Sequence, residues 1–374
     1  MKTVLHLLAS GDTGGIEILC RDYAVYSKHN NIFAILWSPG IISDGMKYRG
    51  DTIIELGIQK KEYFKAIKKL CKIMYQYKVD VIIAHHASPL LHIFLMILKF
   101  RFRSITTITY AHGLAEVMFR VHEKHGAIFR KIVLQSSLKR ADCVVAVSYA
   151  VKNSLVQTFK IPESKIQVIY NGVDTERFFV REKNVTSKTL KLIYVGRLIK
   201  DKGVQTILQA LALGRDEKDF HLSIVGDGVY REELQKLVKE LGIEQKVEFL
   251  GNRNDVPELL SEAKVFLHVP LLEEGFGITV IEAMACGLIC ICSRSGALPE
   301  IISDKVNGFL VDKGDIKGIC NVINFVYKMS DSEKKEIRVN AIKRALDFSS
   351  DRFGNGLDEL IENFSKMGKY KKQE

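Results

Sequence analysis

The sequence is poor in the features that mark disordered, disulfide-built or membrane-spanning chains. Only 6 of 374 residues are proline, and no tract rich in proline, serine or glutamine interrupts a chain that is 47% hydrophobic, which excludes disorder and collagen-like architectures. The 7 cysteines are odd in number, lie mostly in apolar runs and form no Cys-x-x-Cys pair, so a disulfide scaffold is excluded and they read as reduced core thiols of a cytoplasmic protein. No apolar run reaches the ~20 residues of a spanning helix. The longest, 89–98, is broken by His92. Residues 4–9 could pass for a signal peptide, but they run into Gly11-Asp12-Thr13-Gly14-Gly15 and are read as a first buried strand. Asp-x-Asp, His-Glu-x-x-His and paired Cys/His spacings are missing, so no metal is expected. A P-loop is missing too. Gly226-x-Gly228 is followed by Arg231 where a nicotinamide-binding fingerprint needs its third glycine.

What is present begins with charge. Residues 1–170 hold 24 Lys+Arg against 12 Asp+Glu, whereas 171–374 hold 31 against 32, so the net +11 belongs to the first half. In 60–78, Phe64, Ile67, Leu70, Cys71 and Met74 repeat at helical spacing with lysines largely elsewhere. Lys99, Arg101 and Arg103 follow, and 117–140 interleaves Met118, Phe119, Ile128, Phe129, Ile132 and Val133 with Arg120, Lys124, Arg130, Lys131, Lys139 and Arg140. Crossover helices with solvated basic faces account for such a pattern, and so does docking on an anionic membrane. Nucleic acid is not expected, because no helix-turn-helix, zinc-finger or RNA-binding aromatic signature accompanies the charge.

Short β-branched runs alternate with helical patterns throughout. Strands are expected at 3–9, 32–37, 52–56, 80–85, 104–110, 143–148 and 167–170, and then, after a polar linker at 179–189, at 192–195, 222–225, 247–250, 265–269, 289–292 and 309–311. Such alternation implies right-handed βαβ units, hence two Rossmann-like, doubly wound parallel-sheet α/β domains facing across a cleft. Their limits are placed at 1–180 and 181–349. A final amphipathic helix carrying Leu357, Leu360, Ile361 and Phe364 occupies 350–374 with a charged tail.

Ligands bind such sheets at the carboxyl ends of strands, so the loops there carry the chemistry. After strand 192–195 comes Gly196-Arg197-Leu198-Ile199-Lys200-Asp201-Lys202-Gly203, in which Arg197 and Lys202 can converge on one anion. After 265–270 comes Glu273-Glu274-Gly275-Phe276-Gly277-Ile278-Thr279-Val280-Ile281-Glu282. Gly275 and Gly277 permit close backbone approach, and a helix starting near Gly277 offers the free amides of Ile278 and Thr279 to a phosphate. Glu282 lies roughly 7 Å further along that helix, the step from a diphosphate to its ribose. Glu274 points toward whatever lies beyond the phosphates.

With Glu-Ala-Met-Ala-Cys-Gly at 282–287, Gly226-Asp227-Gly228, Asn171-Gly172-Val173-Asp174 and Gly14-Gly15-Ile16-Glu17, these elements resemble the retaining nucleotide-sugar glycosyltransferases of family 4 along nearly the whole chain. The resemblance implies a GT-B architecture: an acceptor-binding first domain, a donor-binding second domain and a final helix crossing back to the first. It implies that Arg197 and Lys202 neutralise the donor diphosphate, with Gly196 and Gly226 beside them. Glu282 would hold the ribose, and Glu274 with Gly275, Phe276 and Gly277 the sugar. Gly14 and Gly15 would approach the phosphates, and His112, in Tyr110-Ala111-His112-Gly113, would be the active-site histidine near the transferred sugar. One departure is Gly287-Leu288-Ile289, which lacks the family's usual proline.

The expectation is therefore a metal-independent hexosyltransferase without a cofactor, using a UDP-sugar or GDP-sugar donor. Its acceptor is expected to be a saccharide or lipid-linked saccharide at the cytoplasmic face of a membrane, in cell-surface polysaccharide synthesis. A nucleotide-sugar epimerase of the same architecture and a non-catalytic sugar-nucleotide-binding protein are the competing readings.

Overall fold

The computed structural model describes residues 1–10, 15–37, 52–58, 62–85, 88–119, 127–181, 189–214 and 219–370, apart from the side chains of 119 and 365–370. The chain forms two compact units, one made of Met1–Gly172 with Ser350–Glu374 and the other of Val173–Ser349.

In the first unit, seven strands, β1 (Thr3–Leu8), β2 (Asn30–Ile35), β3 (Thr52–Glu55), β4 (Val81–Ala84), β5 (Thr106–Ala111), β6 (Cys143–Ala146) and β7 (Ile166–Val168), pair in the order β3-β2-β1-β4-β5-β6-β7. Every pairing is parallel. Strands covered on both faces need no polar alternation, and Val81-Ile82-Ile83-Ala84 and Cys143-Val144-Val145-Ala146 are buried at every position. The described connecting helices are α1 (Gly15–Tyr26), α2 (Tyr63–Gln76), α3 (Pro89–Arg101), α4 (Ala115–Phe119), α5 (Ala127–Arg140) and α6 (Tyr149–Phe159). Ser148 caps α6, its hydroxyl accepting from the Val151 amide at 3.1 Å.

Helix α2 corrects one expectation. Its buried face is Ala66, Leu70, Ile73 and Met74, while Phe64 is 90% exposed. The apolar spacing puts Phe64 in one stripe with Leu70 and Met74, but the face that is buried is centred on Ala66, Leu70 and Ile73, and Phe64 lies well around the helix from it.

The second unit repeats the plan with β8 (Leu190–Val195), β9 (Phe220–Val225), β10 (Val247–Gly251), β11 (Val265–His268), β12 (Ile289–Ser293) and β13 (Phe309–Val311), again all parallel, in the order β10-β9-β8-β11-β12-β13. Between them run α7 (Val204–Leu213), α8 (Arg231–Glu240), α9 (Val256–Glu262), α10 (Ile278–Ala285) and α11 (Leu298–Ile301), followed by α12 (Ile316–Lys328) and α13 (Asp331–Ala345). The strand order reverses between β1 and β4 in one sheet and between β8 and β11 in the other. Those reversals open the crevice where doubly wound sheets hold ligands.

The chain leaves the first unit at Gly172–Val173, earlier than the boundary at 180 read from the sequence. The Val173 amide donates to the Phe348 carbonyl at 2.8 Å, and Val173 and Phe178 are buried within the second unit. It returns at Ser350 to form α14 (Ser350–Tyr370), which packs on α1. Leu357 and Ile361 are fully buried there, and Asp358 accepts from the Tyr23 hydroxyl at 2.7 Å, the Ser27 hydroxyl at 3.0 Å and the Lys28 amide at 2.7 Å.

Candidate active site

The two loops that flank the reversal in the second sheet lie after β8 and after β11. The first begins at Gly196 and Arg197, whose guanidinium side chain is exposed, and tightens into a single 3₁₀ turn at Lys200–Lys202 before α7. Gly226, after the neighbouring β9, has φ of 123°, and a Cβ there would stand 2.0 Å from the Gly196 carbonyl oxygen. Only glycine lets the two strand ends come this close.

The second loop is fastened along its length. Glu273 bonds to the Gly296 amide and the Lys313 ammonium. The Glu274 amide donates to the Ser295 hydroxyl at 3.1 Å, its carbonyl accepts from the Ala297 amide at 2.9 Å, and Ser295 in turn donates to the Leu272 carbonyl at 2.7 Å. Gly275, Phe276 and Gly277 are buried. Gly277 caps α10 with φ of 105°, a conformation that strains any side-chain-bearing residue. The first intrahelical acceptor is the Gly277 carbonyl, taken by the Val280 and Ile281 amides, so the amides of Ile278 and Thr279 precede the helical ladder and point out of its start. Glu282 lies half-buried in the second turn.

The fold joins what the sequence leaves 72 residues apart. The Lys202 ammonium donates to Glu274 Oε2 at 2.6 Å, with both side chains about four-fifths covered. The same Oε2 lies 3.3 Å from His268 Nε2. Burial pushes the Glu274 carboxyl up, but the His268 hydrogen bond and the Lys202 charge outweigh it and hold the group well below the usual carboxylate range. His268 is absent from the sequence-derived site. Its signal was a lone imidazole ending an otherwise apolar strand, Val265-Phe266-Leu267-His268, two residues before Pro270.

In the first unit, His112 follows directly on β5 and stacks on Tyr110, ring centroids 4.5 Å apart and planes within 13°. His85, which follows β4, stacks 5.4 Å from Tyr110 and 5.7 Å from His112. His85 Nε2 lies 2.9 Å from His6 Nδ1, and His6 Nε2 lies 3.1 Å from Asn31 Oδ1. The amide oxygen is an acceptor, so His6 carries its proton on Nε2, leaving Nδ1 to accept from His85. Burial drives the His6 imidazolium down to about 4, against a weaker opposing pull from the Asn31 bond, so this ring is neutral near pH 7. Gly15 opens α1, while Gly14 lies outside the described residues.

Chemically, the second unit presents cations and helix-start amides to an anion and carboxylates to hydroxyls. Two doubly wound parallel sheets with this site form a GT-B fold. The solved structure of Anabaena Alr3699/HepE in complex with UDP and glucose superposes over 97% of this chain and 100% of that chain, with a TM-score of 0.84 and 22% identity. WaaG, a glycosyltransferase involved in lipopolysaccharide biosynthesis, superposes over 96% and 99% with a TM-score of 0.71 and 15% identity. Residues 176–345 match the family model Glycosyl transferases group 1 and residues 52–177 the model Glycosyltransferase Family 4, so the chain belongs to this glycosyltransferase family. Among curated proteins it is 35% identical to N-acetyl-alpha-D-glucosaminyl L-malate synthase of Bacillus anthracis, over 50% of this chain and 51% of that protein. It is 32% identical to the N-acetylgalactosamine-N,N'-diacetylbacillosaminyl-diphospho-undecaprenol 4-alpha-N-acetylgalactosaminyltransferase of Campylobacter jejuni, over 50% and 51%. The chain thus spans about half the length of these curated relatives.

Proposed function

We propose that the protein is a retaining, metal-independent glycosyltransferase that moves a hexosyl group from a nucleoside diphosphate sugar, UDP-linked in preference to GDP-linked, to a hydroxyl of a saccharide or lipid-linked saccharide. The observation that carries this reading is the Lys202–Glu274 pair at the sheet reversal, 2.6 Å apart and beside the start of α10. Breaking the anomeric C–O bond leaves negative charge on the departing diphosphate, and charge that develops in a transition state is best met by donors fixed in advance. Lys202, Arg197 and the amides of Ile278 and Thr279 are those donors. Glu282 suits the vicinal hydroxyls of the ribose, and Glu274 those of the sugar. In the proposed step the acceptor oxygen forms its bond to the anomeric carbon on the face the diphosphate leaves. The acceptor's proton passes to the leaving phosphate oxygen, and His112 stands beside the transferred sugar. The UDP-bound structure of the same fold supports a uridine donor, and the Campylobacter relative, named for a diphospho-undecaprenol acceptor, supports a lipid-linked acceptor.

A place at the cytoplasmic face of an anionic membrane is part of the same reading. No described helix is long and apolar enough to cross a membrane. Helices α3 and α5 carry no Asp or Glu, yet Phe100, Ile128, Phe129 and Ile132 are exposed on them among Lys99, Arg101, Lys139 and Arg140. A groove of about 730 Å³ between these helices is lined by Leu95, Met96 and Phe100 with Arg103 and Arg140. Apolar side chains inside a basic field suit an anionic lipid surface.

The test is a binding and transfer screen against UDP-, GDP- and ADP-sugars with chelator present. One sugar nucleotide should bind saturably, chelator should leave turnover unchanged, and the product should keep the donor's anomeric configuration. An inverted product, or turnover that vanishes in chelator, removes the proposed step.

A further inference from the structure

Two groups share Glu274 Oε2, and they differ in how firmly they are held. Lys202 reaches it from a single 3₁₀ turn on a four-carbon stem, and an ammonium near a diphosphate is drawn to the greater charge. His268 is the last residue of β11, its side chain 4% exposed and its ring parallel to Phe266, planes within 12° and centroids 6.2 Å apart. Its Nδ1 is buried with no hydrogen-bond partner among the described residues. Nε2 is therefore the ring nitrogen through which His268 acts. A covered carboxylate stripped of its last donor costs far more than one that keeps a hydrogen bond.

We propose that His268 is a positioning residue for the sugar end of the donor: its Nε2–H holds the Glu274 carboxylate in place when the diphosphate takes the Lys202 ammonium. The inference rests on the donor assignment above. The Ser295 and Ala297 contacts fix the Glu274 main chain, whereas His268 fixes the carboxylate itself. It thereby separates two tasks that a Lys–Glu pair alone would set in competition, neutralising phosphate and aligning sugar hydroxyls.

His268→Phe keeps the ring and its stacking but loses the donor, and His268→Gln restores an N–H at similar reach. Calorimetry would compare UDP-glucose, UDP-N-acetylglucosamine or GDP-mannose, whichever the unmodified protein binds most tightly, with the corresponding free nucleoside diphosphate. His268→Phe should weaken the sugar nucleotide about tenfold and the free diphosphate less than about twofold, with His268→Gln recovering most of the loss. Equal losses for both ligands, or no loss for either, overturn the proposal. A second measurement needs no nucleotide. Nitrogen NMR of labelled protein should show His268 protonated on Nε2, with a resonance that moves in Glu274→Gln. An unprotonated Nε2 overturns the proposal even if the donor assignment stands. A protein that binds none of these nucleotides but shows the Nε2 signal loses the donor assignment while keeping the His268–Glu274 bond.

Discussion

The two units use one strand order for opposite kinds of chemistry. At the ends of β8 and β11 the second unit gathers Lys202, Glu274 and His268 into a charged knot. At the ends of β4 and β5, and along β1, the first unit gathers His6, His85, Tyr110 and His112 into a stack in which His6 bonds to His85 and Asn31 and the Tyr110 hydroxyl donates to the Ile169 carbonyl. The end of the sheet thus carries ion pairing in one unit and planar stacking around a neutral His6 in the other. A sheet reversal fixes where chemistry happens, while the residues ending the strands decide which chemistry.

The largest expected effect removes the knot's cation. Lys202→Ala should lower turnover by about a hundredfold or more while leaving the circular dichroism spectrum unchanged, because the residue sits in a short loop turn rather than a core element. Wild-type rates in this variant would end the phosphate assignment and leave the two units chemically alike.

Acid separates the units next. His6 titrates at 6.5 when unfolded and at about 4 when folded, so its stabilisation is fully present above 6.5 and is lost as pH falls toward 4, where the unfolded chain binds the extra proton. His6→Gln should flatten the urea-unfolding stability between pH 7 and pH 4.5 by on the order of 2–3 kcal/mol. Glu274 has the same sign but a lower window. Its contribution is present above the ordinary 4.5 and is lost only as pH falls through its lowered value, so the second unit should keep its Lys202–Glu274 pair across the window in which His6 titrates. Unfolding that shows the same acid limb with and without His6 would remove this contrast.

The smallest effect concerns surface charge. Arg101→Glu with Lys139→Glu should reduce sedimentation with anionic vesicles about tenfold at low salt and leave neutral vesicles unaffected. Equal recovery with both vesicle types, before and after substitution, would leave the basic excess as solvated helix faces.

Most of the second unit's site was legible in the sequence because its chemistry is local. Gly277, the start of α10 and Glu282 lie within one turn-and-helix segment, and the two loops announce themselves by following β-branched runs. The pairing of Lys202 with Glu274 was not legible, since it depends on β8 and β11 being neighbours, a matter of strand order. His268 hid for a different reason. A polar residue ending a buried strand reads as a satisfied core group until its partner is known. The His6–His85 bond joins residues 79 apart and has no motif at all. Phe64 shows the limit of periodicity: spacing identifies an apolar stripe but not which edge of it the neighbouring elements cover.

The path of the chain has a consequence for how the protein is made. Residues 173–349 are an insertion, in the sense that the first unit starts before them and is completed by α14 after them. A ribosome that has delivered residue 349 has therefore released every part of the second unit, while the first still lacks the helix whose Asp358 ties down Tyr23, Ser27 and Lys28. The unit begun first is finished last. Until α14 emerges, the face of α1 it covers stays open to water, so a segment made after the second unit closes the unit begun before it.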